Sequence, residues 1–319
     1  MLPKISITSQ DIAYAESILL PKGKHFDDER KDFIKNLETI DLQAVPGSGK
    51  TTVLLAKLLI LERYLPSPDG SGILVISHTN AAIDEIKDRI GQYCPKLFRY
   101  PNFVGTIQSF VDQFLAIPYY ANKYKARPYR IDSEIYTERC VAFFNKTQNY
   151  GLKNWLSKKF DPISFLTKLR FDTDGNLVTG LQGIAENFEL KDKTKPTYKG
   201  LVKFKELLIH QGYLDFEDAY SLAREYLLKI PPIKGLLQKR FKYVFVDEMQ
   251  DMDTHQYELL ESLFYSNENN FPIYQRIGDK NQAIFGGDAK IQEVWTDREN
   301  VLPLNGSHRL TKPIADVVN

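Results

Sequence analysis

Residues 44–51, with the sequence AVPGSGKT, combine two glycines, a lysine and a hydroxyl residue at a spacing suited to phosphate binding. Gly47 and Gly49 let the backbone curl so that its N–H groups can converge on phosphate oxygens. The Lys50 ammonium can contact the outer phosphates, and the Thr51 hydroxyl can hold Mg²⁺. Taken alone, the same residues also fit a surface turn before a helix. The predicted phosphate-binding residues are Ala44, Pro46, Gly47, Ser48, Gly49, Lys50, Thr51 and Thr52.

Two adjacent carboxylates form a second candidate site much later in the chain. Residues 244–246 have the apolar pattern of a buried strand, and they lead directly into Asp247 and Glu248. At the carboxyl edge of a parallel sheet, Asp247 can hold Mg²⁺ through its water shell. Glu248 can orient and deprotonate a water that attacks a phosphate. Two acids also fit the start of a helix equally well, because negative charge is stabilised there.

The bulk composition excludes several kinds of protein. The chain has 319 residues, of which 43% are hydrophobic, so it can bury a sizeable core. Its length suggests about two domains. Cys94 and Cys140 are too few for a disulfide framework or a cysteine metal cluster, so we expect a reducing compartment, the cytoplasm. No signal peptide or membrane-spanning run is recognisable, and HExxH and GxSxG motifs are absent from the sequence.

Both ends of the chain alternate strand patterns with helix patterns. Residues 72–77, 241–246 and 272–277 are predicted strands. Residues 80–90 carry isoleucines at helical spacing. The alternation predicts an α/β fold with a parallel sheet, in which residues 44–51 connect a strand to a helix as in a P-loop NTPase.

The middle of the chain breaks this alternation. It has several helical stretches, an excess of Lys and Arg over Asp and Glu, and many aromatic residues, among them Tyr119, Trp155 and Phe160. Such a composition suits a phosphate backbone and stacked bases. A helical domain with aromatic core residues and solvated lysines is the alternative. For the segment as a whole we favour nucleic-acid binding.

The order of these motifs resembles that of the UvrD/Rep/PcrA-type superfamily 1 helicases, which are ATP-driven motors that move 3′ to 5′ on single-stranded DNA. Residues 77–86 (SHTNAAIDEI) are similar to the family's T-x-T-N-x-A-A-x-E-M segment, and residues 104–110 (VGTIQSF) to its next DNA-contacting motif. Residues 214–218 (LDFED), 247–251 (DEMQD) and 278–285 (GDKNQAIF) resemble L-D-F-D-D, D-E-F-Q-D and G-D-x-x-Q-S-I-Y.

The resemblance implies ATP and Mg²⁺ as cofactors and gives roles to further residues. It implies that Gln250 and Gln282 sense the γ-phosphate, and that Arg309, in a looser match, is a γ-phosphate arginine. Arg30 stands where the family has a glutamine that reads adenine. The predicted contacts to DNA are made by His78, Thr79, Asn80, Thr106, Gln108 and Phe285.

The resemblance also implies a RecA-like P-loop NTPase domain with a parallel sheet and an inserted, mainly helical subdomain. We assign residues 1–110 and 236–304 to the ATP-binding domain, residues 111–235 to the insertion, where DNA binding is predicted, and residues 305–319 to the start of a second motor domain. We therefore expect the N-terminal part of a helicase, which by itself would bind nucleotide weakly.

Three hypotheses for function remain at this point. The first is a helicase or translocase that acts on single-stranded DNA or on a junction between single and double strands. The second is a non-motor nucleotide-binding subunit, for example beside a nuclease in a phage-defence complex. The third is an ATPase that acts on RNA.

Overall fold

A computed structural model describes residues 5–180, 190, 192–266, 271–279, 295–296 and 298–306. The chain divides into two compact units. One comprises Met1–Ile107 and Lys234–Asn319, and we call it the sheet unit. The other comprises Gln108–Ile233, and we call it the helical unit.

Helices and short strands make up both units, and their labels follow chain order. The helices are α1 (Ser9–Leu19), α2 (Asp28–Lys35), α3 (Lys50–Glu62), α4 (Asn80–Ile90), α5 (Ile107–Val111), α6 (Ile117–Tyr124), α7 (Ser133–Lys146), α8 (Tyr150–Ser157), α9 (Pro162–Thr167), α10 (Pro196–His210), α11 (Phe216–Lys229), α12 (Pro232–Arg240) and α13 (Thr254–Phe264). The strands are β1 (Asp41–Ala44), β2 (Gly72–Ser77), β3 (Phe103–Thr106), β4 (Arg130–Ile131), β5 (Leu169–Phe171), β6 (Leu177–Thr179), β7 (Tyr213–Leu214), β8 (Phe241–Val246), β9 (Ile273–Gly278) and β10 (Val301–Leu304).

The sheet unit contains a six-stranded parallel sheet in the order β10-β1-β9-β8-β2-β3. The carboxyl ends of parallel strands meet at one edge of a sheet, where α/β proteins bind ligands. The segments that follow β1, β8 and β9 therefore lie at the same edge. The predicted α/β fold with a parallel sheet is confirmed.

Helix α3 lies in the core of the sheet unit. Every residue from Val53 to Glu62 is buried, because α3 contacts helices α1, α2 and α4 as well as the sheet. A helix that is apolar on all sides is expected at the centre of a domain. Its burial fixes the position of the loop that precedes it.

Lys57 is a fully buried lysine within α3. Its Nζ donates to the Asn36 carbonyl at 2.9 Å and to Gln275 Oε1 at 2.6 Å. It also lies 3.6 Å from the centroid of the Phe33 ring. These partners are neutral, and burial lowers the pKa of Lys57 well below its ordinary value.

Two fully buried charges connect the neighbouring strands β1 and β9. Arg276 faces Asp41 in the register of the two strands. Arg276 Nε donates to Asp41 Oδ1 at 2.7 Å, and Nη2 bonds the other carboxylate oxygen. Trp295 Nε1 also donates to Asp41, at 3.1 Å. The pairing holds β9 in one register against β1.

The helical unit has its own core, in which α7, α8 and α10 pack through residues such as Cys140, Leu156 and Phe204. Two short sheets, β4 with β7 and β5 with β6, complete it. The predicted, mainly helical character of this part is confirmed.

A buried network of charges lies inside the helical unit. Lys205 Nζ donates to the Tyr136 hydroxyl and to Asp218, each at 2.8 Å, and Arg170 pairs with Asp215. Burial lowers the pKa of Lys205 to about 8, although the Asp218 carboxylate opposes this shift. The acids of the LDFED segment therefore have structural partners.

Replacing Lys57 with Met should weaken the pH dependence of stability. Because the folded-state pKa of Lys57 is depressed and the unfolded value is about 10.4, the unfolded chain binds more protons at neutral pH. Lys57 therefore makes the free energy of unfolding rise with pH, by at most about 1.4 kcal/mol per pH unit. Urea unfolding at pH 7 and pH 9 should show a smaller rise in Lys57→Met than in the wild type.

The control for this experiment is Lys35→Met, since Lys35 is exposed on α2. That variant should keep the wild-type pH dependence. Equal pH dependence in Lys57→Met and the wild type would show that Lys57 stays charged in the folded protein.

Candidate functional site

The loop between β1 and α3 has the curled backbone that phosphate binding requires. Gly47 and Gly49 have φ angles of 74° and 86°, in the left-handed region that favours glycine. Ser48 N donates to the Val45 carbonyl at 3.1 Å, and α3 begins at Lys50. Ser48 is buried, and its Oγ has no hydrogen-bond partner among the described residues. The start of a helix and a free buried hydroxyl together suit an anionic ligand.

A chain of hydrogen bonds joins the ends of three strands at this edge of the sheet. Lys50 Nζ donates to Glu248 Oε2 at 3.0 Å. Gln250 Nε2 donates to the same oxygen at 2.6 Å, and Gln250 Oε1 accepts from the Asp279 backbone N–H at 2.9 Å. The structure thus brings the predicted residues Lys50, Glu248 and Gln250 together.

Asp247 lies beside this chain and is almost fully buried. Burial and the negative charge of Glu248 raise the pKa of Asp247 to about 7, although Lys50 opposes the shift. A divalent cation would favour the ionised carboxylate, so Asp247 and the Thr51 hydroxyl fit Mg²⁺. In the part of the chain that the structure describes, no three His, Cys, Asp or Glu residues form a metal site. Phosphate and water would therefore have to complete the coordination of Mg²⁺.

Arg30 lies against the phosphate loop. Its side chain is buried, and Nη2 donates to the Ser48 carbonyl at 2.6 Å and to the Gly306 carbonyl at 3.0 Å. Nη1 pairs with Asp27, the residue that caps α2. Arg30 was predicted to lie at the adenine-reading position, but all of these contacts are with other residues of the protein.

The remaining loop residues have the following places. Ala44 ends β1, and Pro46 is half-buried in the loop. Thr52 Oγ1 accepts from Arg89 Nη2 at 3.2 Å, which connects α3 to α4. No feature of the sequence indicated the contribution of Arg89.

Several residues predicted to contact DNA lie at the same edge, at the ends of β2 and β3. The two strands are neighbours, with Ser77 opposite Thr106. His78 follows β2, and Thr79 caps α4 by accepting from the Ala82 N–H at 3.2 Å. Asn80, the first residue of α4, is exposed.

Gln108 is the first residue of the helical unit and donates to Asp112 at 2.7 Å. Burial raises the pKa of Asp112 to about 6, although this hydrogen bond opposes the shift. Gln282, Phe285 and Arg309 lie outside the described residues.

Asp279 and Asp27 belong to the site but were not among the predicted site residues. Asp279 follows β9 at the shared edge, so the apolar run that ends in Gly-Asp was an available signal. Asp27 caps α2 three residues before Arg30, which is the spacing of a helix cap.

Residues 27–294 match the family model for the UvrD/REP helicase N-terminal domain. The chain belongs to this family. It is 27% identical over 280 residues to a probable DNA helicase II homolog of Mycoplasma capricolum, with 86% of this chain and 37% of that protein covered. It is 26% identical over 313 residues to the ATP-dependent DNA helicase PcrA of Staphylococcus aureus, with 92% and 39% covered.

A UvrD/REP-type chain was expected from the order of the motifs, and this expectation is confirmed. The chain spans less than half the length of the curated relatives that it matches. None of its helices, within the described ranges, is both long and apolar enough to cross a membrane.

Replacing Glu248 with Gly should give a more stable protein than replacing it with Ala. Glu248 has φ 53° and ψ 48°, a left-handed backbone that costs a non-glycine residue about 1–2 kcal/mol. Both variants lose the ion pair with Lys50, so they differ chiefly in this backbone cost. We expect Glu248→Gly to exceed Glu248→Ala by about 1 kcal/mol in the free energy of urea unfolding.

The matched pair for comparison is Asp88→Gly and Asp88→Ala, at an exposed position inside α4. In a right-handed helix the order reverses, and the alanine variant should be more stable by about 1 kcal/mol. If the alanine variant were the more stable one at position 248 as well as at position 88, the left-handed conformation of Glu248 would be wrong.

Proposed function

We propose that the sheet unit binds ATP with Mg²⁺, and that the chain supplies the ATP-binding part of a 3′–5′ DNA helicase or translocase. The observation that carries this proposal is the contact between Lys50 Nζ and Glu248 Oε2, which Gln250 shares. It brings an ammonium, a carboxylate and an amide together beside the curled loop, which supports the roles of phosphate-binding cation, general base and γ-phosphate sensor for them. Two relatives named as DNA helicases, one of them ATP-dependent, support the same function.

The chain's own residues have distinct tasks in the proposed reaction. The loop N–H groups and Lys50 would bind the outer phosphates. Thr51 and Asp247 would hold Mg²⁺, which when bound neutralises charge on the phosphate oxygens. Glu248 is partly exposed, so its carboxylate can accept a proton from a water. Phosphate oxygens would compete with Glu248 for Lys50, which would leave Glu248 Oε2 to Gln250 and that water.

Single-stranded DNA, or its junction with a duplex, is the proposed partner. The ends of β2 and β3 are the location of His78, Thr79 and Thr106. Because β2 and β3 run parallel to β8, these residues lie at the same sheet edge as the carboxylates. This proximity supports a DNA site that responds to nucleotide. We propose the cytoplasm as the location, where both buried free cysteines would stay reduced. A nuclease partner stays a prediction.

Replacing Lys50 with Ala should weaken the binding of Mg·ATP by at least about tenfold. A charge-assisted hydrogen bond contributes about 1.5–3 kcal/mol, and about 1.4 kcal/mol corresponds to a factor of ten. Titration of a fluorescent ATP analogue would measure the dissociation constant. Lys35→Ala, which removes an exposed lysine from α2, is the control and should bind as the wild type does. Unchanged affinity in Lys50→Ala would rule out the phosphate loop assignment.

Replacing Glu248 with Gln should preserve Mg·ATP binding but reduce hydrolysis by about 10²- to 10⁴-fold, the usual effect of a general base. Hydrolysis should be measured with and without single-stranded DNA, on this chain and on the natural full-length protein. Glu38→Gln, at an exposed position before β1, serves as the control. Normal turnover in Glu248→Gln would remove Glu248 from the mechanism. A wild-type protein that binds DNA without hydrolysing ATP would favour a non-motor subunit.

A further inference from the structure

Arg30 joins three separate segments of the sheet unit beneath the phosphate loop. Its guanidinium pairs with Asp27 at the start of α2 and donates to the Ser48 carbonyl and to the Gly306 carbonyl after β10. Its side chain is only 6% exposed. A buried cation with three partners in fixed positions restrains each of them.

The bond to Ser48 fixes the direction of the next N–H group in the loop. The Ser48 carbonyl and the Gly49 N–H belong to one peptide plane, and in a trans peptide they point in opposite directions. Arg30 holds the carbonyl on its own side of the plane. The Gly49 N–H therefore points away from Arg30, just before Lys50. Since Gly47 and Gly49 have positive φ angles and little intrinsic preference, this restraint selects one loop conformation.

The same contacts make Arg30 unsuited to reading a base. Adenine offers one donor and one acceptor on its N6/N7 edge, and a guanidinium has donors only. Both N–H bonds of Arg30 Nη2 are already directed at the carbonyls of Ser48 and Gly306. A base could accept a hydrogen bond from these N–H groups only if the bonds to the Ser48 and Gly306 carbonyls were broken.

We propose that Arg30 is a positioning residue that holds the phosphate loop through the Ser48 carbonyl. It thereby contributes equally to the binding of every nucleoside triphosphate, and this position does not select adenine. The inference rests on the proposed nucleotide site. It extends that proposal by stating that, as far as Arg30 is concerned, the site accepts nucleoside triphosphates with any base.

The test is to compare ligands that share the phosphates but differ in the base. Calorimetry would give dissociation constants for the Mg²⁺ complexes of ATP, GTP and inorganic tripolyphosphate, at a temperature where circular dichroism shows every variant folded. Arg30→Met should weaken all three by the same factor, about tenfold, because methionine removes the donors without adding a group that can read a base. Arg30→Lys should recover part of the loss, because an ammonium can still donate to the two carbonyls.

Two results would overturn the proposal. A loss for ATP that exceeds the loss for tripolyphosphate by about fivefold or more, well above a uniform effect, would make Arg30 a base reader. An Arg30→Met variant with wild-type affinity for all three ligands would show that the loop does not depend on Arg30. Amide exchange gives an independent readout, since the Gly49 N–H should exchange faster in Arg30→Met while the amides of α4 do not change.

Asp27→Asn replaces Arg30→Met if the latter does not fold. It weakens the partner of Arg30 but keeps the guanidinium, so it should give a smaller loss that is again equal for the three ligands. Unequal losses would overturn the proposal here too. Failure of the proposed function looks different: the wild type would bind none of the ligands, or Lys50→Ala would bind them as well as the wild type.

Discussion

The ion pair between Lys50 and Glu248 sets the requirement that the surrounding structure has to meet. The two residues are 198 positions apart in the chain, and the Lys50 side chain is only 10% exposed. A largely buried ammonium is costly without a partner, so the fold has to deliver a carboxylate to it. One strand, β9, separates β1 from β8, and adjacent strands lie about 4.8 Å apart. The long side chains of Lys50 and Glu248 can reach each other across β9. Gln250 contacts the end of β9 between them, through the Asp279 backbone N–H.

The position of β9 therefore decides whether the site can form, and two buried basic side chains hold this strand in place. Arg276 on β9 pairs with Asp41 on β1, and neither is exposed to solvent. Lys57 on α3 bonds Gln275, the neighbouring residue of β9. Buried polar contacts of this kind contribute more to a unique register than to net stability, because their desolvation offsets their attraction. A slip of β9 by one residue would turn Gln275 and Arg276 to the opposite faces of the sheet, away from Lys57 and Asp41.

The sequence was sufficient for the elements with local patterns. The predicted strands 72–77 and 241–246 and the helix 80–90 have the observed bounds. The strand predicted at 272–277 begins one residue later, at Ile273, because Pro272 lacks the N–H that pairing needs. Contacts between residues far apart in the chain have no comparable pattern in the sequence. Nothing near Lys57 or Arg30 in the sequence indicates that α3 and the phosphate loop bury them, and the left-handed backbone of Glu248 follows from its place at the strand end.

The same geometry gives the proposed nucleotide and DNA sites a short physical connection within the sheet unit. Gln250 bonds both the Glu248 carboxylate and the Asp279 backbone, so a change in the partners of Glu248 also alters the restraint on the end of β9. Burial and the negative charge of Glu248 raise the pKa of Asp251, although His78 and Lys50 oppose the shift. Charge added beside Glu248 would therefore also act on Asp251, which has an electrostatic interaction with His78. We infer that coupling here needs no large movement of the sheet, because Glu248, Gln250 and Asp279 share one set of hydrogen bonds at the sheet edge where His78 also lies.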